Sequence, residues 1–169
     1  VAESKEEAQK KVSELLSEYS EGIIVEQFIQ GRELTVPMLQ AFEGYLLEIV
    51  EYKFDGDKHN IFDFETKSAE DVEEKVETIC PPELTPAEKR EVLALSDRAF
   101  KVMRIPDFAR ADIRLDENGT PYLIEVNPLP GLRPVSPLIT SAKAKNLTYV
   151  DIIGLIIKSA ITRYDIKVD

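Results

Sequence analysis

The chain has 169 residues, 43% of them hydrophobic, enough to bury a core as one compact domain or as two small subdomains sharing a boundary. Lys and Arg number 21 against 32 Asp and Glu, a net charge of −11. That balance is wrong for a nucleic-acid binder that works through phosphate contacts, though not for a protein that takes a polyphosphate already neutralised by magnesium. No apolar run approaches the ~20 residues a membrane helix needs, Cys80 has no second cysteine for an internal disulfide, and nothing at the N-terminus resembles a secretory signal, so no membrane is expected as a partner and the cytoplasm is the expected location.

In chain order, the first segment predicts an amphipathic helix. Ser4 is its N-cap, Glu7 closes a capping box, and Ala8, Val12, Leu15, Leu16 and Tyr19 fall on one face. Gly22 to Ile29 (GIIVEQFI) has strand composition, Leu34 to Leu39 continues as a second strand, and Tyr45 to Tyr52 reads as a third. Phe54 to Ser68 is charged and aperiodic, the pattern of a long functional loop. A helix starts at Thr85 with Pro86 at its first position and Glu88 completing the box; it should turn Val92, Leu95, Ala99 and Val102 inward. Two strands flank Asn118-Gly119, a Pro-rich loop runs from Pro128 to Pro137, and a last helix spans about Tyr149 to Arg163. Strands with hairpin signals between neighbours, separated by helices, predict an α+β fold whose sheet is mostly antiparallel and flanked by helices. His59 reads as solvated, Met38 as packed in a strand and Cys80, before Pro81-Pro82, as structural.

The segment ARADIRLDENGTPYLIEVNP carries the chemistry. With Asn118 and Gly119 as a two-residue hairpin loop, Asp112 lies opposite Glu125 and Arg110 opposite Asn127, all four side chains on one face. Ala111, Ile113, Leu115, Tyr122, Ile124 and Val126 then form the buried face. Two carboxylates opposed at ~4.5–5.5 Å between Cβ atoms repel each other unless something positive sits between them. A divalent cation removes that repulsion, and hard oxygen donors suit magnesium better than zinc. The competing reading is a solvated edge face on which Arg110 pairs with Asp112 or Glu125. A three-residue loop would shift the register by one and separate the pairs.

Four stretches together, VEQFIQGRELTV (Val25 to Val36), FDFETK (Phe62 to Lys67), ARADIRL (Ala109 to Leu115) and YLIEVNPLPGL (Tyr122 to Leu132) followed by Ser136, resemble the ATP-grasp ligases and, within them, the D-alanine–D-alanine ligase-like family, in the family's order over almost the whole chain. The resemblance implies the ATP-grasp C-terminal catalytic domain, with residues 1–40 as the end of a small subdomain and 41–169 as the catalytic subdomain. It further implies ATP, two magnesium ions (manganese as a substitute) held by Asp112, Glu125 and Asn127, and Arg110 on the transferred phosphate with the Gly131 amide as a second oxyanion donor. In the same terms Glu26 accepts from the adenine amino group, Gln27 and Ile29 offer backbone groups to the ring edge, Glu33 holds the ribose hydroxyls, Lys67 closes over the γ-phosphate and Ser136 meets the substrate carboxylate, where Gly131 also lies. For Glu26 the residues alone read equally as an outward strand position, and for Glu33 as a surface pair with Arg32.

The implied activity joins a carboxylate to an amine through an acyl phosphate, as in peptidoglycan synthesis, with small amino acids as substrates and a homodimer left open. Ser68, where the family commonly has an aromatic residue, and the tail residues Pro128, Leu129, Arg133 and Pro137 depart from the pattern, which leaves room for another amino acid or dipeptide as substrate. A non-catalytic nucleotide- or metal-binding module is the remaining alternative. No glycine-rich phosphate loop occurs among the 7 glycines, so the chain reads as the C-terminal piece of a longer enzyme, partnered by the rest of its own polypeptide and inactive alone.

Overall fold

The computed structural model describes residues 1–54 and 76–167; the expected loop beyond Phe54, with Lys67, Ser68 and His59, lies outside them. Helix α1 spans Lys5–Glu18, and the Ser4 hydroxyl accepts from the Glu7 amide as the capping signal requires. Its apolar face finds no cover among the described residues: Ala8 and Val12 are half-buried, while Leu15, Leu16 and Tyr19 are exposed. The next stretch corrects the sequence reading. Residues 22–30 form no strand, and Ile24 and Val25 project from the surface. β-branched composition gives propensity, but a ladder needs a neighbour with free backbone groups, and the described residues supply none here.

The sheet begins at Gly31. Strands β1 (Gly31–Leu39), β2 (Val50–Phe54), β3 (Val76–Ile79), β4 (Phe108–Asp116) and β5 (Pro121–Asn127) form one antiparallel sheet in the order β3-β2-β1-β4-β5. Thus β1 starts earlier than expected, β2 occupies only the end of the stretch read as the third strand, and β3 was not foreseen. The central position of β1 explains its continuous burial from Leu34 to Leu39.

Helix α2 (Pro86–Met103) forms with the predicted capping box: the Thr85 hydroxyl accepts from the Glu88 amide and the Glu88 carboxylate accepts from the Thr85 amide. Its buried stripe is Val92, Ser96, Ala99 and Phe100, and Val102 is 81% exposed. Leu95 is half-buried against the core as expected, whereas Val102 lies past the end of the stripe near the helix C-terminus and polar Ser96 takes a buried place; its hydroxyl is satisfied internally by the Val92 carbonyl. On this face Val92 packs with Leu34, Val36, Ile49, Ile113 and Leu115, and Phe100 with Met38, Ala109 and Ala111.

Helix α3 (Pro137–Ala144) was hidden in the Pro-rich stretch because Pro137 opens it, a position where proline needs no amide. Helix α4 spans Tyr149–Tyr164 with a Thr148/Asp151 capping box. Leu138, Ile139 and Ala142 of α3 and Ile152 of α4 bury Leu39 and Leu47, covering the Leu39 end of the second sheet face. No described helix covers the rest of that face, and the site lies there.

Candidate active site

Asp112 is opposite Glu125 and Arg110 opposite Asn127, as the hairpin reading requires, but by a different route. The loop is not two residues long. Asp116 pairs with Thr120 through its amide, and the Asp116 carboxylate accepts from the Asn118 and Thr120 amides, leaving Glu117, Asn118 and Gly119 in the turn with Gly119 at φ 78°. Near the turn this shifts the register by one: Leu115 faces Pro121, Arg114 faces Tyr122 and Ile113 faces Leu123. A bulge between Asp112 and Ile113 then leaves Ile124 without an opposite residue and restores the register at Glu125. Tyr122 therefore lies on the Asp112 face and not with the core, and Tyr122, Leu123 and Ile124 are all exposed because β5 is the sheet edge. Only Val126, half-buried, joins Phe100 and Ala111 as expected.

Arg110 donates to Asp112 Oδ2 from Nε at 3.1 Å and Nη2 at 3.0 Å, and lies 3.9 Å from Glu125 Oε1. The Arg110–Asp112 pair is largely buried, with side chains 12% and 16% exposed, unlike a solvated edge pair. Asp112 Oδ1 is buried and makes no hydrogen bond of normal geometry; the buried Thr35 hydroxyl on β1 lies opposite and favours the charged carboxylate. Burial pushes the Asp112 carboxyl above its ordinary range; Arg110 and the Thr35 hydroxyl offset only part of this, and Glu125 adds to it. An orphaned carboxylate oxygen facing a second carboxylate across the ladder is a cation-seeking arrangement.

Asn127 accepts the Leu129 amide at 2.9 Å through Oδ1, which fixes the amide and leaves one lone pair of that oxygen for another partner. Among the described residues no three His, Cys, Asp or Glu side chains cluster for a metal. Two carboxylates and an amide fit magnesium, which keeps several positions for water and phosphate, and they do not fit a closed zinc site.

Arg110, Glu125 and Asn127 line a cleft of about 660 Å³ with Tyr52, Thr78, Gly131, Arg133, Ser136 and Thr140. Gly131 is exposed at its rim, and a Cβ there would meet open space. Ser136 N-caps α3 without using its side chain, and its Oγ is buried with no partner. Burial raises the Tyr52 phenol, which stays neutral. Cys80, half-buried, has its thiol pushed up to about 11 by burial and is inert at neutral pH.

The adenine-side residues are outside this cleft. Glu26 and Gln27 are exposed on the unladdered stretch. The Ile29 carbonyl accepts from Arg114 Nε at 3.0 Å, and Glu33 Oε2 from Arg114 Nη1 at 3.1 Å. Arg32 points to the other face in a bidentate pair with Glu51, at 2.7 and 2.6 Å, so the alternative pairing of Glu33 with Arg32 does not form. Sequence reading passed over Arg114, although its place two residues after Asp112 puts it on the same face.

A D-ala D-ala ligase C-terminus family model matches residues 1–158. The chain belongs to the D-alanine–D-alanine ligase family. D-alanine–D-alanine ligase B of Clostridium perfringens is 34% identical over 94% of the chain and 49% of its own length, and the ligase of Thermotoga petrophila is 33% identical over 99% and 53%. Among solved structures, the Bacillus anthracis ligase complexed with ATP superposes with a TM-score of 0.72 at 22% identity, covering 91% of this chain and 47% of that one. The Coxiella burnetii ligase gives 0.75 at 20%, covering 97% and 41%. The chain spans about half the length of these ligases. Their likeness confirms the ATP-grasp α+β fold, and among the described residues no helix is long and apolar enough to cross a membrane.

Proposed function

We propose that the chain is the C-terminal catalytic portion of an ATP-dependent D-alanine–D-alanine ligase acting in the cytoplasm on small amino acids. Residues 1–40 would bring the adenine-facing edge and 41–169 the catalytic part, with β1 at the seam. The observation that carries the reading is the buried Asp112 with its orphaned oxygen, set against Glu125 by a turn and a bulge that cancel. Membership in the family and the ATP complex of a structural neighbour support it.

Asp112, Glu125 and Asn127 would hold two magnesium ions, with manganese as a substitute, and these supply charge neutralisation at the β- and γ-phosphates. Arg110, held in place by Asp112, directs its guanidinium toward the cleft beside Glu125 and would stabilise negative charge on the transferred phosphoryl group. The Gly131 amide at the rim and the free Ser136 hydroxyl would bind the substrate oxyanion and carboxylate. Glu26, Gln27, Ile29 and Glu33 would take the nucleoside, and Lys67 the γ-phosphate. A non-catalytic module has no use for a buried arginine beside two carboxylates at a cleft.

In the full-length protein Glu125→Gln should abolish ATP turnover. Folding should survive, since one charge of a repulsive pair is removed from a half-exposed edge position. Phosphate release with D-alanine as substrate, measured beside circular dichroism, checks this; normal turnover in a folded Glu125→Gln protein would overturn the assignment.

A further inference from the structure

Arg114 shares the Asp112 face of the sheet and is bound there on several sides. It lies on β4, 6% exposed, and donates from Nε to the Ile29 carbonyl at 3.0 Å, from Nη2 to the Gly31 carbonyl at 3.0 Å and from Nη1 to Glu33 Oε2 at 3.1 Å. Its guanidinium also lies 5.2 Å from the centre of the Phe28 ring. All these partners come from the six residues Phe28 to Glu33. Residues 22–30 make no ladder of their own, and at Gly31 the chain enters β1 with so little room that a Cβ would stand 2.0 Å from the Leu115 carbonyl oxygen.

We propose that Arg114 is a positioning residue for the nucleotide: it fixes the Ile29 backbone and the Glu33 carboxylate in the poses from which they take the adenine edge and the ribose. The proposal rests on the assignment of that segment to ATP. A buried ion pair is a poor way to gain stability alone, because an apolar side chain of the same size serves as well or better. What an apolar residue cannot do is hold two carbonyls and a carboxylate at set angles with one rigid fork. Without the fork, the Ile29 carbonyl and the Glu33 carboxylate lose the bonds that set their angles. The binding edge then has to be ordered by the nucleotide itself, at the expense of affinity.

The test uses the full-length ligase with ATP and 2′-deoxy-ATP. Arg114→Met keeps the bulk and removes the fork. It should raise the KM for ATP about 10- to 100-fold, the loss expected from one or two charge-assisted hydrogen bonds. The kcat should stay within about threefold and the KM for the amine substrate should not change, because the Asp112 cluster is untouched. Preference for ATP over 2′-deoxy-ATP should shrink, since Glu33 no longer meets the 2′-hydroxyl in a fixed pose. Arg114→Lys, with one compact donor group in place of the fork, should fall between wild type and Arg114→Met, and it decides the matter should Arg114→Met not fold. An unchanged ATP KM with unchanged ribose preference would overturn the proposal, as would a fall in kcat and melting temperature that leaves the preference intact. Absence of ATP turnover in the wild-type ligase would instead overturn the nucleotide assignment itself, so the two failures are told apart.

Discussion

Glu48 sits where three elements meet. Its carboxylate accepts from Lys89 of α2 at 2.7 Å and from Lys145, at the end of α3, at 3.1 Å, while its backbone carbonyl accepts the Ser141 hydroxyl. Burial pushes this carboxyl up, but the two lysines together hold it below its ordinary value of 4.5. A depressed carboxylate stabilises the fold above its unfolded value and loses that contribution as the pH falls through its folded value. Urea midpoints measured from about pH 6 to about pH 3 should therefore drop on the acid side, and Glu48→Gln, already weaker at neutral pH, should show a shallower drop. At this scale the sequence was legible where chemistry constrains identity: Asp112 meets Glu125 and Arg110 meets Asn127 as read, although the two-residue loop from which the pairing was counted is a three-residue turn followed by a bulge. Arg114 escaped notice because two of its partners are backbone carbonyls from a distant stretch, and no residue pattern announces a carbonyl.

Among the elements, those that carry their own boundary signals were readable. The Thr85-Pro86-Glu88 start of α2 is one, and its cap should be worth about 1 kcal/mol, so Thr85→Ala should lower the melting temperature of the chain without altering its circular dichroism. Elements that depend on distant partners were not readable. Strand β3 exists because β2 offers it an edge, and Gly22 to Ile29 stays irregular because no described neighbour does. Gly31 marks the boundary between these two outcomes. Its φ of 144° and the 2.0 Å approach to a backbone oxygen leave no space for a side chain, so Gly31→Ala should cost about 3 kcal/mol by forcing β1 away from β4. Chemical denaturation measures this, and a loss below about 1 kcal/mol would show that the start of β1 yields easily.

Taken whole, the chain has a sheet with one face sealed by α2 and the other half-covered by α3 and α4, and a set of apolar side chains, from Leu15 to Val25, in solvent. Its class and antiparallel sheet followed from the alternation of hairpin signals and helices. The placing of α3 and α4 at the Leu39 end of one face did not follow, because which end of a sheet a helix covers is a matter of tertiary packing. The isolated chain should fold and bind Mg-ATP weakly, without turnover: the nucleotide would be gripped from one side, and each missing charge-assisted contact costs ~1.5–3 kcal/mol. Isothermal titration beside the full-length protein checks this, and micromolar binding by the isolated chain would refute it. The β4–β5 hairpin sets a further condition. Its turn, closed by Asp116 and Thr120, holds three residues, and its bulge lies farther along the ladder, between the Ile113–Leu123 and Asp112–Glu125 pairs. With Asp116 and Thr120 closing the turn and Ile113 opposite Leu123, Ile124 is the one residue of β5 that the ladder does not count, so removing it would leave a plain ladder in which Glu125 still faces Asp112. One residue added to β5 with the bulge kept would instead set Ile124 against Asp112 and turn Glu125 to the opposite face of the sheet, so relatives of this chain are expected to vary in length inside the turn, between Asp116 and Thr120, and not to lengthen β5.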